Sequence, residues 1–550
     1  MVATVSKLFE DAVQTYKDRV ALRMLVPTER RRGKGTQLVL NEVTYGRLAE
    51  MVGRLATALR DLGVRRGDRV ALVAKPRTAW ATSFFAILRC GATVVPLDPE
   101  LQKNEIERIL AEAQVNGIIA SGSKIDDLVA IRSTGSLGSV FLVSMDRSAE
   151  EGVLFLDALL LGKGLLPMVD VAPSDLAILM YTSGTTGNAK GAMLTHANIA
   201  SNAQAAVKVV ELGPTDTFLS IVPWNHIYGL TITLICPLIT GATTTYTPVD
   251  RNLMAVLRKA KPTILLGVPK LYNVLHGRIT ESIEQSALKR AIYRLSPTLM
   301  GTLVRNKLFG KQFRFFTSGG APLNPTAAAG LRHLGLGILE GYGLTETSPL
   351  LTMCEEFDEL PGMRAIEDVE IRIDHPDDTG VGEVVVRGPN VMAGYYKNPE
   401  ATAEILEPDG WFHTGDLGSY KNGRLVLCGR AKNVIVLETG KNVYPEEIEW
   451  ELVTIPAIEE VMVYEGDRGG VPTVCAEIYP NWTYLKAHGV KEKDNDAALD
   501  VLWDAVKEKC ENLAMFKRIK YKECLTLVDE PFQKSVKLDI KRYLHKTPQA

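Results

Sequence analysis

Short apolar runs alternate with amphipathic segments over the first four hundred residues of the chain. Apolar positions at helical spacing predict helices over Val43–Leu62 and Ala79–Arg89. Apolar runs of strand length stand beside them, and we expect strands at Val70–Ala74, Thr93–Leu97, Ile118–Ala120, Ser139–Val143, Asp175–Met180, Thr263–Leu266 and Phe313–Thr317. This alternation predicts layers of helices on largely parallel sheets, an α/β fold.

The pattern changes after Val369. Val369–Ile373 and Gly382–Arg387 carry β-branched residues between turn residues, as antiparallel strands do. Beyond Gly429–Lys432 we expect a small α+β domain with a helix at Glu446–Val453 and strands at Ile458–Glu465 and Thr473–Tyr479. The sequence therefore predicts two domains, residues 1–429 and 430–550, the first also containing the β subdomain.

Length and charge narrow the function classes. A chain of 550 residues is too long for one core, and a net charge of −2 gives no argument for a nucleic acid partner. The seven cysteines include no CxxC pair, which predicts a reducing compartment without a zinc or disulfide framework. The first ten residues meet charge too early for a signal peptide. We expect a cytoplasmic protein with at most peripheral contact at the inner membrane face.

Residues His276–Gln312 form an insert with helical patterning and seven Lys/Arg side chains. A solvated helical pair is one interpretation of this pattern. Contact with a membrane surface or a partner is the alternative.

The stretch Tyr181–His196 carries the clearest chemistry. It follows a predicted strand and precedes a segment of helical type. Hydroxyls, backbone amides freed by glycine and one ammonium suit a polyphosphate, and they come from Thr182, Ser183, Gly184, Thr185, Thr186, Gly187 and Lys190. The spacing is not that of a GxxxxGK[ST] loop. A glycine-rich surface turn is the plain alternative.

This stretch resembles the phosphate loop of the adenylate-forming superfamily, which includes acyl-CoA synthetases, firefly luciferase and the adenylation domains of peptide synthetases. Further segments resemble that family's motifs in the same order. They are Pro223–Gly229 (gate), Ser318–Leu323 and Glu340–Thr347 (adenine), Gly410–Asp416 (ribose), Gly429–Asn433 (hinge) and Gly440–Ile448.

The resemblance implies a reaction in two halves. A carboxylate attacks the α-phosphate of ATP to give an acyl-adenylate and pyrophosphate, and a thiol then displaces AMP. It implies that Mg²⁺ is held by Thr185 and Glu346, and that Thr345 hydrogen-bonds the α-phosphate. Hard cations take oxygen ligands of this kind.

Nucleotide contacts follow from the same resemblance. Asp416 is expected to accept from the ribose hydroxyls, and Arg430 to reinforce it or to reach a phosphate. Tyr342 is expected to present its ring to adenine, with a core tyrosine as the alternative. The adenine segments also contribute Gly319, Gly320, Ala321, Gly341 and Gly343.

Three further residues are assigned to the second half-reaction. His226 is expected to gate the acyl entrance, or else to be a packed histidine beside Trp224; a role as proton acceptor is left open. Lys432 falls at the hinge about which family members rotate the small domain. Gly440 is expected to let a pantetheine arm pass close to the backbone.

The sequence departs from the family pattern in its tail. The lysine that stabilises charge on the α-phosphate is replaced by Asp539 when the tail is aligned on Ile540–Arg542. Aspartate would repel phosphate, so we assign the role to Lys537. The alternative is an acyl- and ATP-binding protein in which turnover is weakened or lost.

Val268–Tyr272 and the insert resemble bacterial medium- or long-chain fatty acyl-CoA synthetases or acyl-ACP synthetases. The apolar segment Ile227–Ile239 is expected to line an acyl tunnel. ATP, Mg²⁺ and either CoA or the phosphopantetheine of an acyl carrier protein are the implied cofactors, and a fatty acid is the implied substrate. Chain length, acceptor and homo-oligomeric state stay open, as does an oxygenase of luciferase type.

Overall fold

A computed structural model of the chain describes residues 3–29, 36–182, 189–247, 253–321, 323–354, 362–438, 441–534 and 540–544. Two large sheets form its framework. One hydrophobic core contains residues of both sheets, and each sheet has a second core on its other face. The α/β layering predicted from the sequence is confirmed.

The seven-stranded sheet is parallel except for its last strand. Its strands, in spatial order, are Val153–Phe155, Phe141–Ser144, Gly117–Ala120, Arg69–Val73, Thr93–Leu97, Leu176–Thr182 and Lys190–Thr195. Every strand predicted here is present. The antiparallel strand Lys190–Thr195 was not predicted.

The nine-stranded sheet is parallel in its centre and antiparallel at both ends. Its strands, in spatial order, are Arg364–Ala365, Leu350–Met353, Ile338–Gly343, Phe315–Ser318, Ile264–Gly267, Thr217–Ser220, Thr243–Tyr246, Val20–Glu29 and Thr36–Thr44. The carboxyl ends of the central strands carry the Ser318 and Gly341–Gly343 segments, so one sheet edge brings these motifs together.

Three groups of helices cover the sheets. Those of the shared core are Val5–Tyr16, Tyr45–Asp61, Thr78–Arg89, His196–Val209 and the run Ile227–Leu230, Thr231–Ile235 (a π-helix) and Cys236–Thr240. The outer face of the seven-stranded sheet carries Lys103–Ala113 and Ile125–Ser133, and Leu156–Leu159 follows its edge strand. The outer face of the nine-stranded sheet carries Leu253–Ala260, Pro269–Glu284, Ala287–Leu295, Pro297–Leu308 and Pro325–His333.

The insert His276–Gln312 differs from the predicted helical pair. It contains the end of one helix and two further helices, because Ser286 and Ser296 each interrupt the helical pattern. Both serines cap the following helix through their side-chain oxygens, which accept from the backbone N–H groups of Lys289 and Leu299.

Residues after Val369 form two smaller units. An antiparallel sheet contains Glu370–Asp374, Gly382–Arg387, Phe412–Lys421 and Arg424–Arg430, with the helix Pro399–Ala403 in a connection, which confirms the predicted antiparallel texture. The last part of the chain contains strands Ile435–Val436, Asn442–Val443, Ile458–Asp467, Pro472–Pro480 and Leu525–Leu527, with helices Pro445–Leu452, Trp482–Ala487 and Asn495–Cys510. Its main core consists of residues between Ile435 and Leu525. The boundary at Gly429–Lys432 stays a prediction, and this separate core supports it.

Candidate active site

The two ends of the phosphate-binding stretch are paired strands. Thr182 and Lys190 lie opposite each other at the open end of the antiparallel pair, and the Thr182 hydroxyl donates to the Lys190 carbonyl at 3.4 Å. Ser183, Gly184, Thr185, Thr186 and Gly187 lie outside the described residues. The sequence places them between these two anchored ends.

Lys190 connects this stretch to Glu346 through a tyrosine that sequence reasoning missed. The Lys190 ammonium lies 5.1 Å from the ring centroid of Tyr395, and the Tyr395 hydroxyl donates to Glu346 Oε1 at 2.9 Å. Burial, together with the nearby Glu346 carboxylate, raises the pKa of Tyr395, which keeps this hydroxyl protonated as a donor. Two predicted motifs and one unpredicted residue therefore meet at one point.

Tyr395 is placed by contacts from remote parts of the chain. Its neighbourhood pairs with the strand Lys190–Thr195 through a bridge between Ala192 and Tyr395. Asn198, in the first turn of the helix His196–Val209, donates to the carbonyls of Pro389 at 2.7 Å and Val391 at 2.8 Å. No local sequence pattern signals such a long-range arrangement.

The loop that carries Thr345 and Glu346 is held by two buried amide side chains. Asn202 donates to the carbonyl of Leu350 at 2.7 Å, and Asn390 donates to the carbonyls of Thr347 and Leu350 at 3.0 Å each. Thr345 itself is buried. Asn198 and Asn202 lie four residues apart on one buried helix face, and that spacing is the sequence signal that could have revealed them.

Glu346 fits the proposed role as a cation ligand. Its carboxylate is buried, one oxygen accepts from Tyr395, and the other oxygen has no hydrogen-bond partner in the part of the chain that the structure describes. A buried carboxylate oxygen without a partner is costly unless a cation or donor satisfies it. An oxygen anion is also the ligand that Mg²⁺ prefers.

Tyr342, Asp416 and Arg430 form a second cluster. The Tyr342 hydroxyl donates to Asp416 Oδ2 at 2.7 Å, and Arg430 Nε lies 2.7 Å from Asp416 Oδ1. Burial raises the pKa of Tyr342, and the Asp416 carboxylate raises it further. Each carboxylate oxygen can accept more than one hydrogen bond, so ribose hydroxyls can share both of them. Whether the Tyr342 ring faces adenine stays a prediction.

The predicted gate segment packs against the adenine segment. Gly319 has no side chain, and a Cβ there would lie 2.9 Å from the hydroxyl of Tyr228. Gly320 and Ala321 follow in the same loop. Trp224 is fully buried and donates to Ser220 and Thr233 at 3.0 and 3.1 Å, which fixes the start of the segment.

His226 is half-buried and faces a carboxylate. Its Nε2 lies 3.8 Å from Asp98 Oδ2. Its side chain is therefore partly exposed, whereas the neighbouring Trp224 is fully buried. Its function as a gate stays a prediction.

A narrow apolar cavity lies next to the Gly341 segment. Its volume is about 30 Å³, close to the share of one water molecule in the liquid, about 30 Å³. Tyr228, Ile232 and Cys236, at four-residue spacing, form one wall, as expected for the segment Ile227–Ile239. Ser318 and Gly341 also line it.

A second, larger cleft is lined mainly by polar and charged residues. It measures about 790 Å³ and includes Pro99 and Glu100, which directly follow Asp98. Lys75, Arg77, Lys103 and Lys124 bring four cationic groups to its wall. Three of them pair with acidic groups: Lys75 with Glu100 at 2.7 Å, Arg77 with Asp146 at 3.0 Å and Lys124 with Asp127 at 3.4 Å.

The remaining predicted residues belong to the final part of the chain. Lys432 lies in the turn Ala431–Asn433 that directly follows the antiparallel sheet. Gly440, Lys537 and Asp539 lie outside the described residues. Their roles stay predictions.

Comparisons with known proteins agree with this arrangement of motifs. The "AMP-binding enzyme" family profile matches residues 9–396, and the "AMP-binding enzyme C-terminal domain" profile matches residues 432–546. The chain is 28% identical to long chain acyl-CoA synthetase 7, peroxisomal, of Arabidopsis thaliana, over all of this chain and 85% of the relative. It is 31% identical to the long-chain-fatty-acid–CoA ligase FadD15 of Mycobacterium tuberculosis, over 84% of this chain and 82% of the relative.

A solved structure is also similar over nearly the whole length. ATP-bound MatB from Rhodopseudomonas palustris superposes with a TM-score of 0.77 at 26% identity, covering 99% of this chain and 98% of that one. The chain therefore belongs to the AMP-binding enzyme family, the adenylate-forming superfamily that its motifs resemble.

Proposed function

We propose that this protein is an AMP-forming acyl-CoA ligase whose substrate is a medium- or long-chain fatty acid. The observation that carries the proposal is the apolar cavity beside Gly341 and Ser318. An acyl chain bound there would lie next to the segments assigned to the nucleotide, which supports the proposal. The names of the relatives from A. thaliana and M. tuberculosis support the same substrate class.

In the first half-reaction, the fatty acid carboxylate forms a bond to the α-phosphorus while the bond to the bridging β-phosphate oxygen breaks. This chain's contribution is positioning and charge rather than proton transfer. We assign Lys190 to the terminal phosphates and the buried Thr345 to the α-phosphate. Mg²⁺ held at Glu346 would offset phosphate charge.

In the second half-reaction, a thiol forms a bond to the acyl carbon and AMP leaves. We propose that the thiol enters past His226, whose Nε2 lies 3.8 Å from Asp98, the residue that directly precedes Pro99 and Glu100 in the wall of the cleft. The four cations of that cleft outnumber its three carboxylates, and this excess of positive charge suits a phosphorylated thiol carrier. We propose CoA rather than an acyl carrier protein. A rotation about Lys432 between the half-reactions completes the proposal.

The cavity must widen to hold a fatty acid, because about 30 Å³ is too small for an alkyl chain. Met353 and Ile232 line it, and an unbranched methionine side chain adapts readily to a changed shape. The chain length accepted is therefore set by how far these side chains move.

The test is ATP-dependent AMP release with a panel of saturated fatty acids from medium to long chain, with CoA or with holo acyl carrier protein as acceptor. We expect turnover with CoA, and loss of turnover in Lys537→Ala. Turnover with the carrier protein alone would mean that the carrier protein, and not CoA, is the acceptor. Absence of AMP release with every acid, beside measurable ATP binding, would favour the binding-protein alternative that Asp539 raised.

A further inference from the structure

Two helices of the insert expose leucines that the fold leaves uncovered. In Ala287–Leu295, Leu288 is 71% and Leu295 is 87% exposed, and that helix contains no buried residue. In Pro297–Leu308, Leu299 is 53% and Leu303 is 46% exposed. Leu295 and Leu299 stand on either side of Ser296, which joins the two helices.

Other residues of these helices make the contacts with the protein core. Ile292 and Tyr293 pack against the core on the outer face of the nine-stranded sheet, and Met300 is buried there. A Cβ at Gly301 would lie 1.6 Å from the Leu334 carbonyl oxygen, so this helix face lies directly against its neighbour. In the second helix, Leu299 and Leu303 lie on the side away from Gly301. In the first helix, Leu288 and Leu295 share a face with Ile292, and both remain largely exposed on either side of it.

The same segment is strongly cationic. Residues 287–312 include six Lys/Arg and no Asp or Glu, in a chain whose net charge is −2. Arg294 and Lys307 are exposed, Arg294 directly before Leu295 and Lys307 four residues after Leu303. Long cationic side chains beside apolar ones can keep their charged ends among headgroups while the apolar parts enter the interface.

We propose that these two helices dock the enzyme onto an anionic phospholipid bilayer. Leucines would enter the interface, and the six cations would pair with lipid phosphates. No helix in the described ranges is long and apolar enough to span a bilayer, so the contact is peripheral.

The test is flotation of the full chain with vesicles of phosphatidylcholine alone and of phosphatidylcholine with an equal amount of phosphatidylglycerol. Neither ATP nor fatty acid is added, so the result is independent of the proposed function. We expect binding to the anionic vesicles that falls as salt is raised. Leu288→Ser with Leu295→Ser should reduce the bound fraction by roughly five-fold or more, and Arg294→Glu with Lys307→Glu should do the same.

Matched controls separate this surface from general stickiness. Leu161 is 79% exposed in another part of the fold, and Leu161→Ser should bind as the wild type does. The double variant Lys7→Glu with Lys486→Glu makes the same change in net charge at two exposed lysines elsewhere. It is the control for the charge variant of the helices. Unchanged melting temperatures show that the variants fold. The proposal is overturned if the wild type does not bind anionic vesicles, or if both helix variants bind them as well as the wild type does. If these helices instead capture an acidic carrier protein, they are a protein-docking surface.

Discussion

At the residue scale, Glu346 combines burial, one hydrogen bond and one unsatisfied oxygen. Its partner Tyr395 holds the carboxylate in one orientation, with the second oxygen left for a cation. A ligand held by an oriented hydrogen bond loses less freedom when the cation binds.

We expect Glu346→Gln to slow ATP–pyrophosphate exchange by roughly 100-fold or more, because a metal ligand contributes several kcal/mol. Tyr395→Phe removes one hydrogen bond to a carboxylate, about 1.5–3 kcal/mol, and should slow exchange roughly 10- to 100-fold. The Mg²⁺ concentration at half-maximal rate should rise in both variants. Tyr420→Phe, at an exposed tyrosine side chain, is the control. A Tyr395→Phe enzyme with wild-type rate and Mg²⁺ dependence would contradict this role.

A second prediction concerns His413, in the segment assigned to ribose. Its two ring nitrogens lie 2.9 Å from Glu383 and 2.9 Å from Glu407. Burial lowers the pKa of His413, but the two carboxylates outweigh it and the net pKa is raised. The protonated imidazole therefore donates to both carboxylates, and Glu383 in turn accepts from the Gly415 N–H at 2.9 Å.

A raised folded-state pKa gives a stability contribution that is complete below the unfolded value of about 6.5 and lost as pH rises through the folded value. We expect His413→Gln to lower the free energy of unfolding by roughly 1–2 kcal/mol at about pH 6, and by less at about pH 9. Denaturant titrations at the two pH values measure it. His375→Gln, at a histidine that is 96% exposed, is the control. A difference that grows with pH would refute the bridge.

At the scale of elements, local patterns identified five strands of the seven-stranded sheet, two strands of the nine-stranded sheet and the helix that begins at His196. That helix is capped by the Thr195 hydroxyl, which accepts from the Asn198 N–H at 3.2 Å, a signal that lies within the sequence itself. The strand Lys190–Thr195 was missed because its glycine and small residues continue a loop-like motif. Tyr395 was missed because its position depends on pairing with a strand about two hundred residues away.

The C-terminal segments on either side of residues 535–539 form another element-scale feature. Lys534 and Ile540 form a bridge, and the Lys541 N–H donates to the Gln533 carbonyl at 2.8 Å. Arg542 lies 2.6 and 2.7 Å from the two oxygens of Glu449. Burial raises the pKa of Glu449 to about 7, although Arg542 lowers it. In the sequence, Lys537 lies between these two segments.

We expect Arg542→Met to slow adenylation roughly 10- to 100-fold, since a misplacement of about 1 Å costs that much. Thiolysis of supplied acyl-adenylate should change little, because Lys537 is assigned only to the first half-reaction. Single-turnover measurements of each half-reaction test this split. The double variant Glu449→Met with Arg542→Met removes both charges of the pair. It should be more stable than Arg542→Met alone, but its adenylation rate should stay low. Arg468→Met, at an exposed pair with Glu523, is the control. Equal loss in both half-reactions would contradict a positioning role.

At the scale of the whole molecule, the final part of the chain has its own core, and a small cluster around Tyr444 is one of its contacts with the rest of the described chain. Tyr444 packs with Leu417 and Cys428, and its hydroxyl donates to Asp377 at 2.9 Å. This contact is small beside the two cores that it joins. A boundary with few contacts permits relative motion of the two parts.

Rotation of the small domain between half-reactions would require the Tyr444 contact to break in one of the two arrangements. Tyr444→Phe keeps the ring and removes only the hydrogen bond to Asp377, so it should weaken the arrangement described here by about 0.5–1.5 kcal/mol, or up to roughly ten-fold in population. A ligand or contact shifts such an equilibrium only through its preference for one state. The half-reaction that uses this arrangement should therefore slow while the other is unchanged or faster. Rapid-quench measurement of acyl-adenylate formation and of its thiolysis separates the two rates, with Tyr484→Phe in the same domain as the control. Equal slowing of both steps would mean that Tyr444 stabilises the fold and does not bias the rotation.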